Sequence, residues 1–323
     1  MELPYTTVNV FTDKPFEGNP LAIVTITASV SLTQEQKQAI AREFNYSETT
    51  FVHETTDSHS SSSSERRFDI FTTHEELPFA GHPTIGTAVF LKPRGVDKLL
   101  AKAGPIAIEH TAADSVRAAI PHNTRLHRKR LRDLGPGPHS DAVKQLADAE
   151  ADAPVFSIVD GMTFALVELP SLEALALAKM GPMNFRKHEL LDEGWRDSFI
   201  TRYYFVRLGS SSSSTTNTDE TLDDNDDGSR RVVHRIRTRM IEPDIEDPAT
   251  GSAACALSSY LSLHVLDGRD LAFEITQGVE MGRRSNIYVD ATVGEGPDGA
   301  RRLETLHLGG KATKVMSGTI FVE

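Results

Sequence analysis

Glu48, His82, Glu246 and Asp247 are the side chains whose type and setting allow acid–base chemistry. Three of them stand on two turns of one design. Leu77-Pro78-Phe79-Ala80-Gly81-His82-Pro83-Thr84 is a Pro-bearing turn feeding small and apolar residues as far as Leu91, with Pro83 suited to a first helical turn. Glu246-Asp247-Pro248-Ala249-Thr250-Gly251-Ser252 leads into a similar run ending near Leu261. A helix start leaves several backbone N–H groups without partners, so Thr250, Gly251 and Ser252 offer a site for a carboxylate or another anion. If the two starts face each other, the cleft between them holds two sets of donors together with His82, Glu246 and Asp247. Glu48 precedes the β-branched and aromatic run Thr49 to Val52, which puts it at the mouth of a strand, where a carboxylate can point into a cleft.

Each of these residues also has a plain structural reading. Glu48 fits a solvated strand end, His82 can brace its turn, and Asp247 before Pro248 can be a turn former or a capping acid. Ser252 is small enough to serve helix packing. Cys255 is the only cysteine, which excludes an internal disulfide and a multi-thiolate metal site, and its place inside the small-residue run makes it a buried, inert thiol. His53, His59 and His127 show no metal-ligand spacing and read as surface residues.

The elements that must position these groups follow from periodicity and punctuation. Both small-residue helices have almost no polar face, so each is predicted to be enclosed on every side. Residues 5–11 and 21–26 read as a wide hairpin, and Thr33 with Gln36 fits a capping box opening a helix that ends near Asn45. Further strands are predicted at 67–72, 106–110 and 115–120, and Ser58 to Ser64 reads as a mobile loop. A helix from Ser140 to Glu150 comes next, then a hairpin of 155–159 and 163–169 through Asp160-Gly161 and a helix from Ser171 to Met180. Strands at 202–208, 232–241, 270–276, 286–289 and 314–322 complete the chain. The pattern predicts an α+β protein of two pseudo-symmetric domains, each a curled mixed β-sheet or barrel around a central buried helix. The basic crossover His122 to Arg132, read as a solvated linker before the break Gly135-Pro136-Gly137-Pro138, separates them. The expected domains are 1–122, completed by a C-terminal strand at 312–323, and 123–311. Residues 209–229 are expected to be a disordered insertion, being polar except for Leu222.

Composition narrows the function classes. At 323 residues, 39% hydrophobic and 25% charged, the chain has the size and make-up of a two-domain globular protein. Its formal charge of -12 argues against nucleic acid or an anionic membrane as partner, and six of the acids lie between Asp219 and Asp227. No apolar run approaches the ~18 residues that cross a bilayer. The first residues lack the layout of a signal peptide, so a cytoplasmic location is expected.

Several motifs together resemble the phenazine-biosynthesis PhzF-like family, which shares its fold with diaminopimelate epimerase. They are Asn9-Val10-Phe11-Thr12, Gly18-Asn19-Pro20-Leu21-Ala22, Ser47-Glu48-Thr49, Glu76 to Thr84, Glu246 to Ala254, and Gln277-Gly278 with Gly282-Arg283. The resemblance implies an isomerase that works without cofactor or metal on a small carboxylate-bearing substrate, with its site between two domains and often as a homodimer. The family's best-known activity isomerises trans-2,3-dihydro-3-hydroxyanthranilate by moving a proton between ring carbons. Carried over motif by motif, Glu48 would be the catalytic acid/base, His82, Asp247 and Ser252 would hold and polarise the substrate, and Gly81 and Gly251 would supply backbone donors. The sequence departs from the epimerase branch, whose two facing cysteines have no counterpart here. It also carries Arg284 where the family usually has Pro.

A carboxylate can take and return such a proton if the cleft desolvates it and raises its pKa towards neutrality. Fixed N–H donors would stabilise the charge that builds on the substrate. Two other classes compete: a binding or interaction protein that keeps the fold without turnover, and a metal-dependent hydrolase using the acidic cluster.

Overall fold

A computed structural model describes residues 1–54, 64–112, 114–135, 143–181, 185–213 and 231–322. The chain opens with β1 (Glu2–Val10), β2 (Asn19–Ile26), α1 (Gln34–Phe44), β3 (Thr49–His53), β4 (Glu65–Phe71), β5 (Glu76–Leu77) and α2 (Gly81–Leu91). It continues through β6 (Lys98–Ala101), β7 (Gly104–Ala112), β8 (Ser115–Ala119), β9 (Arg125–Leu126), α3 (Lys144–Asp152), β10 (Val155–Val159), β11 (Met162–Glu168), α4 (Leu172–Ala176) and α5 (Lys187–Leu190). The remainder is β12 (Phe199–Ser213), β13 (Arg231–Ile241), β14 (Glu246–Asp247), α6 (Gly251–His264), β15 (Asp270–Gln277), β16 (Ser285–Glu295) and β17 (Arg301–Phe321).

Two rings of strands result, and their pairings repeat. In the first, β1 and β2 are antiparallel, β2 and β3 parallel, β3 and β4 antiparallel, and β4 and β6 parallel. In the second, β10 and β11, β11 and β12, β12 and β13, and β13 and β15 follow the same alternation. Each ring is closed by the last strand of the other. The end of β17 pairs with β1 from Ala312 to Phe321, while the chain leaving β8 donates from Ile120 to Leu306 (2.8 Å) and runs into β9, which pairs with β10. Where the two closing strands cross, β8 and β17 pair antiparallel. The result is an α+β architecture of closed mixed sheet and enclosed helices, as the resemblance implied.

Each ring encloses its helix because no face of that helix suits water. From Gly81 to Ala88 every residue of α2 is buried, and so is every residue of α6 from Ala253 to Ser259. Aliphatic and aromatic residues from both rings form one continuous core around the pair. By contrast α1 is amphipathic and lies outside its ring, with the predicted capping box of Thr33 and Gln36 and a left-handed C-cap at Asn45. Lys37, on its inner face, is anchored to the buried Asp69 at 2.6 Å.

Several expectations need correction. Gly209 to Ser213 are not disordered: they extend β12 and pair with Arg231 to Arg235, so the backbone ladder carries a stretch whose side chains gave no strand signal. The rest of that segment lies outside the described residues, as do 55–63 within the serine-rich loop, Pro136 to Pro138 and Ser140. The helix expected to Met180 stops at Ala176, capped at Ser171 as predicted. The basic crossover is no solvated linker. As β9 it lies beside β10, Arg125 and Arg128 hold the carboxylate of Asp192 at 2.5 to 3.2 Å, and Lys129 and Arg130 donate to the carbonyls of Glu189 and Asp152. Its His127 is buried, not on the surface, with Nε2 2.8 Å from Ser157 Oγ and Nδ1 accepting from the Asp192 amide. That tautomer makes Nε2 a donor, so this His–Ser pair cannot work as base and nucleophile.

Candidate active site

Four segments distant in sequence deliver the site. Glu48 is the last residue before β3, brought there by the turn after α1. His82 is the second residue of α2, and Asp247 ends β14 three residues before the cap of α6. Asn19 opens β2. The Glu48 side chain is 17% exposed overall, yet its Oε2 is buried without a hydrogen-bond partner, 3.4 Å from His82 Nδ1. Asp247 accepts at both oxygens: Asn19 Nδ2 donates to Oδ1 at 2.8 Å and the Thr250 hydroxyl to Oδ2 at 2.5 Å.

Burial dominates the electrostatics. It pushes the Glu48 carboxyl up to about 7, against a smaller opposing effect from Ser47. It pushes Asp247 up to about 7 as well; the positive charge His82 would carry opposes this, the charge of Glu48 adds to it, and the bonds from Thr250 and Asn19 oppose it. The His82 imidazole falls to about 4, because desolvation outweighs the attraction of Asp247 and the Pro20 carbonyl. Near neutral pH the site therefore holds a neutral imidazole beside two carboxyl groups that compete for protons. Neither helix start has a hydrogen bond from its own capping side chain, although the Thr250 amide ahead of α6 donates to Gln277 Oε1 at 3.2 Å.

The two helix starts meet at glycines. A Cβ on Gly81 would lie 3.1 Å from Gly251 Cα and 3.0 Å from Leu308 Cδ2; one on Gly251 would lie 3.3 Å from Gly81 Cα and 2.8 Å from Leu308 Cδ2. A side chain at either position would crowd the other helix start and require Leu308 to shift. Beside them a small, mostly apolar cavity is lined by Phe79, Ile120, Met162, Ser252, Cys255 and Leu308.

Glu48, His82 and Asp247 are thus brought together, with Gly81 and Gly251 back to back next to them. Ser252 faces the apolar cavity and shares none of the hydrogen bonds described for the cluster. Glu246 does not belong to the cleft, because Arg239 holds its carboxylate bidentately, with both bonds 2.8 Å. Burial raises the thiol pKa of Cys255, as expected of an inert cysteine. Two residues of the site were missed. Asn19 bridges the rings, and Gln277 donates to the Asp247 carbonyl (2.8 Å) and Thr250 Oγ1 (3.0 Å) while accepting from the Thr250 amide and Tyr203. Both stand in motifs quoted above; their polar type beside Gly18 and Gly278 was the only signal. Among the described residues no group of three or more His, Cys, Asp or Glu is placed to hold a metal. None of the described helices is long and apolar enough to cross a membrane.

A family model described as phenazine biosynthesis-like protein (PhzC-PhzF) matches residues 8–199 and 221–318. The chain belongs to this family. It is 31% identical over 98% of its length to a protein of Pasteurella multocida named an uncharacterized isomerase, covering 94% of that protein. It is 30% identical to the trans-2,3-dihydro-3-hydroxyanthranilate isomerase of Pseudomonas chlororaphis, over 98% of each chain. In structure it is similar to a PhzF-family protein of Bacillus anthracis, with a TM-score of 0.69 and 21% identity over 100% of both chains. This PhzF-family chain is an isomerase.

Proposed function

We propose that this isomerase moves a proton between carbons of a small carboxylate substrate similar to trans-2,3-dihydro-3-hydroxyanthranilate, with Glu48 as general acid and base. The observation that carries the reading is the buried, unpartnered Oε2 of Glu48 beside His82 and Asp247, at the place where two helix starts converge. In its ionised form Glu48 takes a proton from a substrate carbon: the C–H bond breaks, an O–H bond forms, and the electron pair is delocalised into the substrate's π system. Backbone donors at Gly81 and Gly251 and the neutral His82 face the charge that develops. Glu48, its acidic hydrogen exchanging with solvent during turnover, then delivers a proton to a second carbon and regains its starting form. A carboxyl group poised near neutrality suits both directions of transfer.

Incubation with trans-2,3-dihydro-3-hydroxyanthranilate in D2O tests this. Deuterium is expected at the carbon that receives the proton, together with product. Glu48→Gln is expected to lower the rate by about 10³-fold, within the roughly 10²–10⁴-fold span of general acid–base catalysis. Label uptake that survives in Glu48→Gln would remove Glu48 from the chemistry. Tight binding of small acids with no uptake for any of them would make the chain a binding protein.

A further inference from the structure

Asn19 has so far appeared only as a neighbour of Asp247. Its own placement is unusually constrained. The preceding Gly18 has φ +69°, and a Cβ there would lie 2.3 Å from the Val10 carbonyl oxygen and 2.6 Å from Thr12 Cγ2, so the turn admits glycine alone. The loop before β16 grips the same peptide: Arg283 Nε donates to the Gly18 carbonyl at 2.9 Å, and the Gly18 amide donates to the Arg284 carbonyl at 3.1 Å. Asn19 is 1% exposed. Its Nδ2 donates across the ring boundary to Asp247 Oδ1 at 2.8 Å and to the Ala249 carbonyl at 2.9 Å, with His82 Nδ1 at 3.5 Å. Both amide hydrogens are therefore used on β14 and the turn that follows it.

The two carboxyl groups of the site are served unequally. Asp247 accepts a donor at each oxygen, from Asn19 and from Thr250, while Glu48 Oε2 accepts none. Donors stabilise the ionised form of the group they reach, so a proton shared between two carboxyls settles on the less well served one: Ser47 reaches Glu48, while Thr250 and Asn19 both reach Asp247. We propose that Asn19 is a positioning residue that orients Asp247 across the ring boundary, holds it ionised, and so keeps the proton that Glu48 takes from the substrate on Glu48 rather than letting it pass to Asp247. The other groups bearing on this balance are His82 on α2, Glu242 on the turn before β14, which faces Glu48, and Tyr203 on β12, which faces Asp247. His82 is common to both carboxyls, so the difference between them lies in the donors.

The inference deepens the isomerase reading, but its test needs no substrate. Protein carrying ¹³C in its Asp and Glu carboxyl groups is titrated through neutral pH by NMR, with signals assigned from Glu48→Gln and Asp247→Asn. In the wild type, Asp247 is expected to ionise before Glu48. In Asn19→Ala, removal of one charge-assisted hydrogen bond is expected to raise the Asp247 midpoint by about one pH unit and to lower that of Glu48. A role confined to packing would lower thermal stability without moving either midpoint. Should Asn19→Ala fail to fold, the wild-type order decides alone: a proton found on Asp247 in the singly protonated cluster overturns the proposal, as do unchanged midpoints in a folded variant. Wild-type protein that titrates as expected yet exchanges no deuterium would sink the isomerase chemistry and leave the role of Asn19 standing.

Discussion

The proposed mechanism asks Glu48 to ionise where burial disfavours its charge, which would set function against stability at this residue. Burial raises its pKa from the usual 4.5 to about 7. The folded value lies above the unfolded one, so its contribution to stability is full below about 4.5 and is lost as pH rises through about 7. Asp247 shifts in the same direction. Glu48→Gln, which cannot ionise, is therefore expected to melt higher than wild type at about pH 8, by a few degrees for a difference on the order of 1–3 kcal/mol. That advantage should fade near pH 4 in a series of melting curves; an advantage independent of pH would show that the carboxyl is not held protonated by the fold. The same shift predicts that kcat/KM rises about tenfold per pH unit below about 7 and levels above it. His82, lowered to about 4, adds no second inflection in that range.

Among elements, the paired helix starts decide the geometry. Gly251→Ala would force a Cβ to within 2.8 Å of Leu308 Cδ2 and 3.3 Å of Gly81 Cα, and Gly81→Ala is similarly confined. Each is expected to cost about 1–3 kcal/mol by overpacking and to reduce turnover more than stability, because the amide donors move apart. Adding Leu308→Ala to Gly251→Ala should restore part of the lost melting temperature and little of the activity, since the contact with Gly81 remains. Equal recovery of both in calorimetry and the exchange assay would contradict this view.

The two enclosed helices were legible from sequence because a Pro-bearing turn followed by a small, all-apolar run has few other homes, and the design occurs twice. Hairpins announced by alternation, such as β10 and β11, were legible for the same local reason. Asn19 and Gln277 were not assigned roles, because what each does depends on partners 228 and 30 residues away. No local pattern encodes such a distance. The extension of β12 through Gly209 to Ser213 was misread since a polar run offers no alternation, and only the facing strand shows that its backbone is paired.

For the whole molecule, the loop around Arg283 ties the rings together near the site. Besides Gly18, its guanidinium reaches the Glu17 carbonyl at 3.5 Å, and the Asn286 amide donates to the Phe11 carbonyl at 2.7 Å. Arg283→Ala is expected to cost about 1–2 kcal/mol and to speed hydrogen exchange at the Gly18 and Asn19 amides ahead of global unfolding. If exchange there is unchanged, the rings are held together elsewhere. The interlock of β8 and β17 has a consequence for biosynthesis. Glu48 and His82 leave the ribosome well ahead of Ala312 to Phe321, the segment that closes the ring housing them. A nascent chain must then carry an unsealed β1 edge until that segment arrives, so the first ring depends on a distant stretch for closure, and the open edge is an aggregation hazard in stalled intermediates.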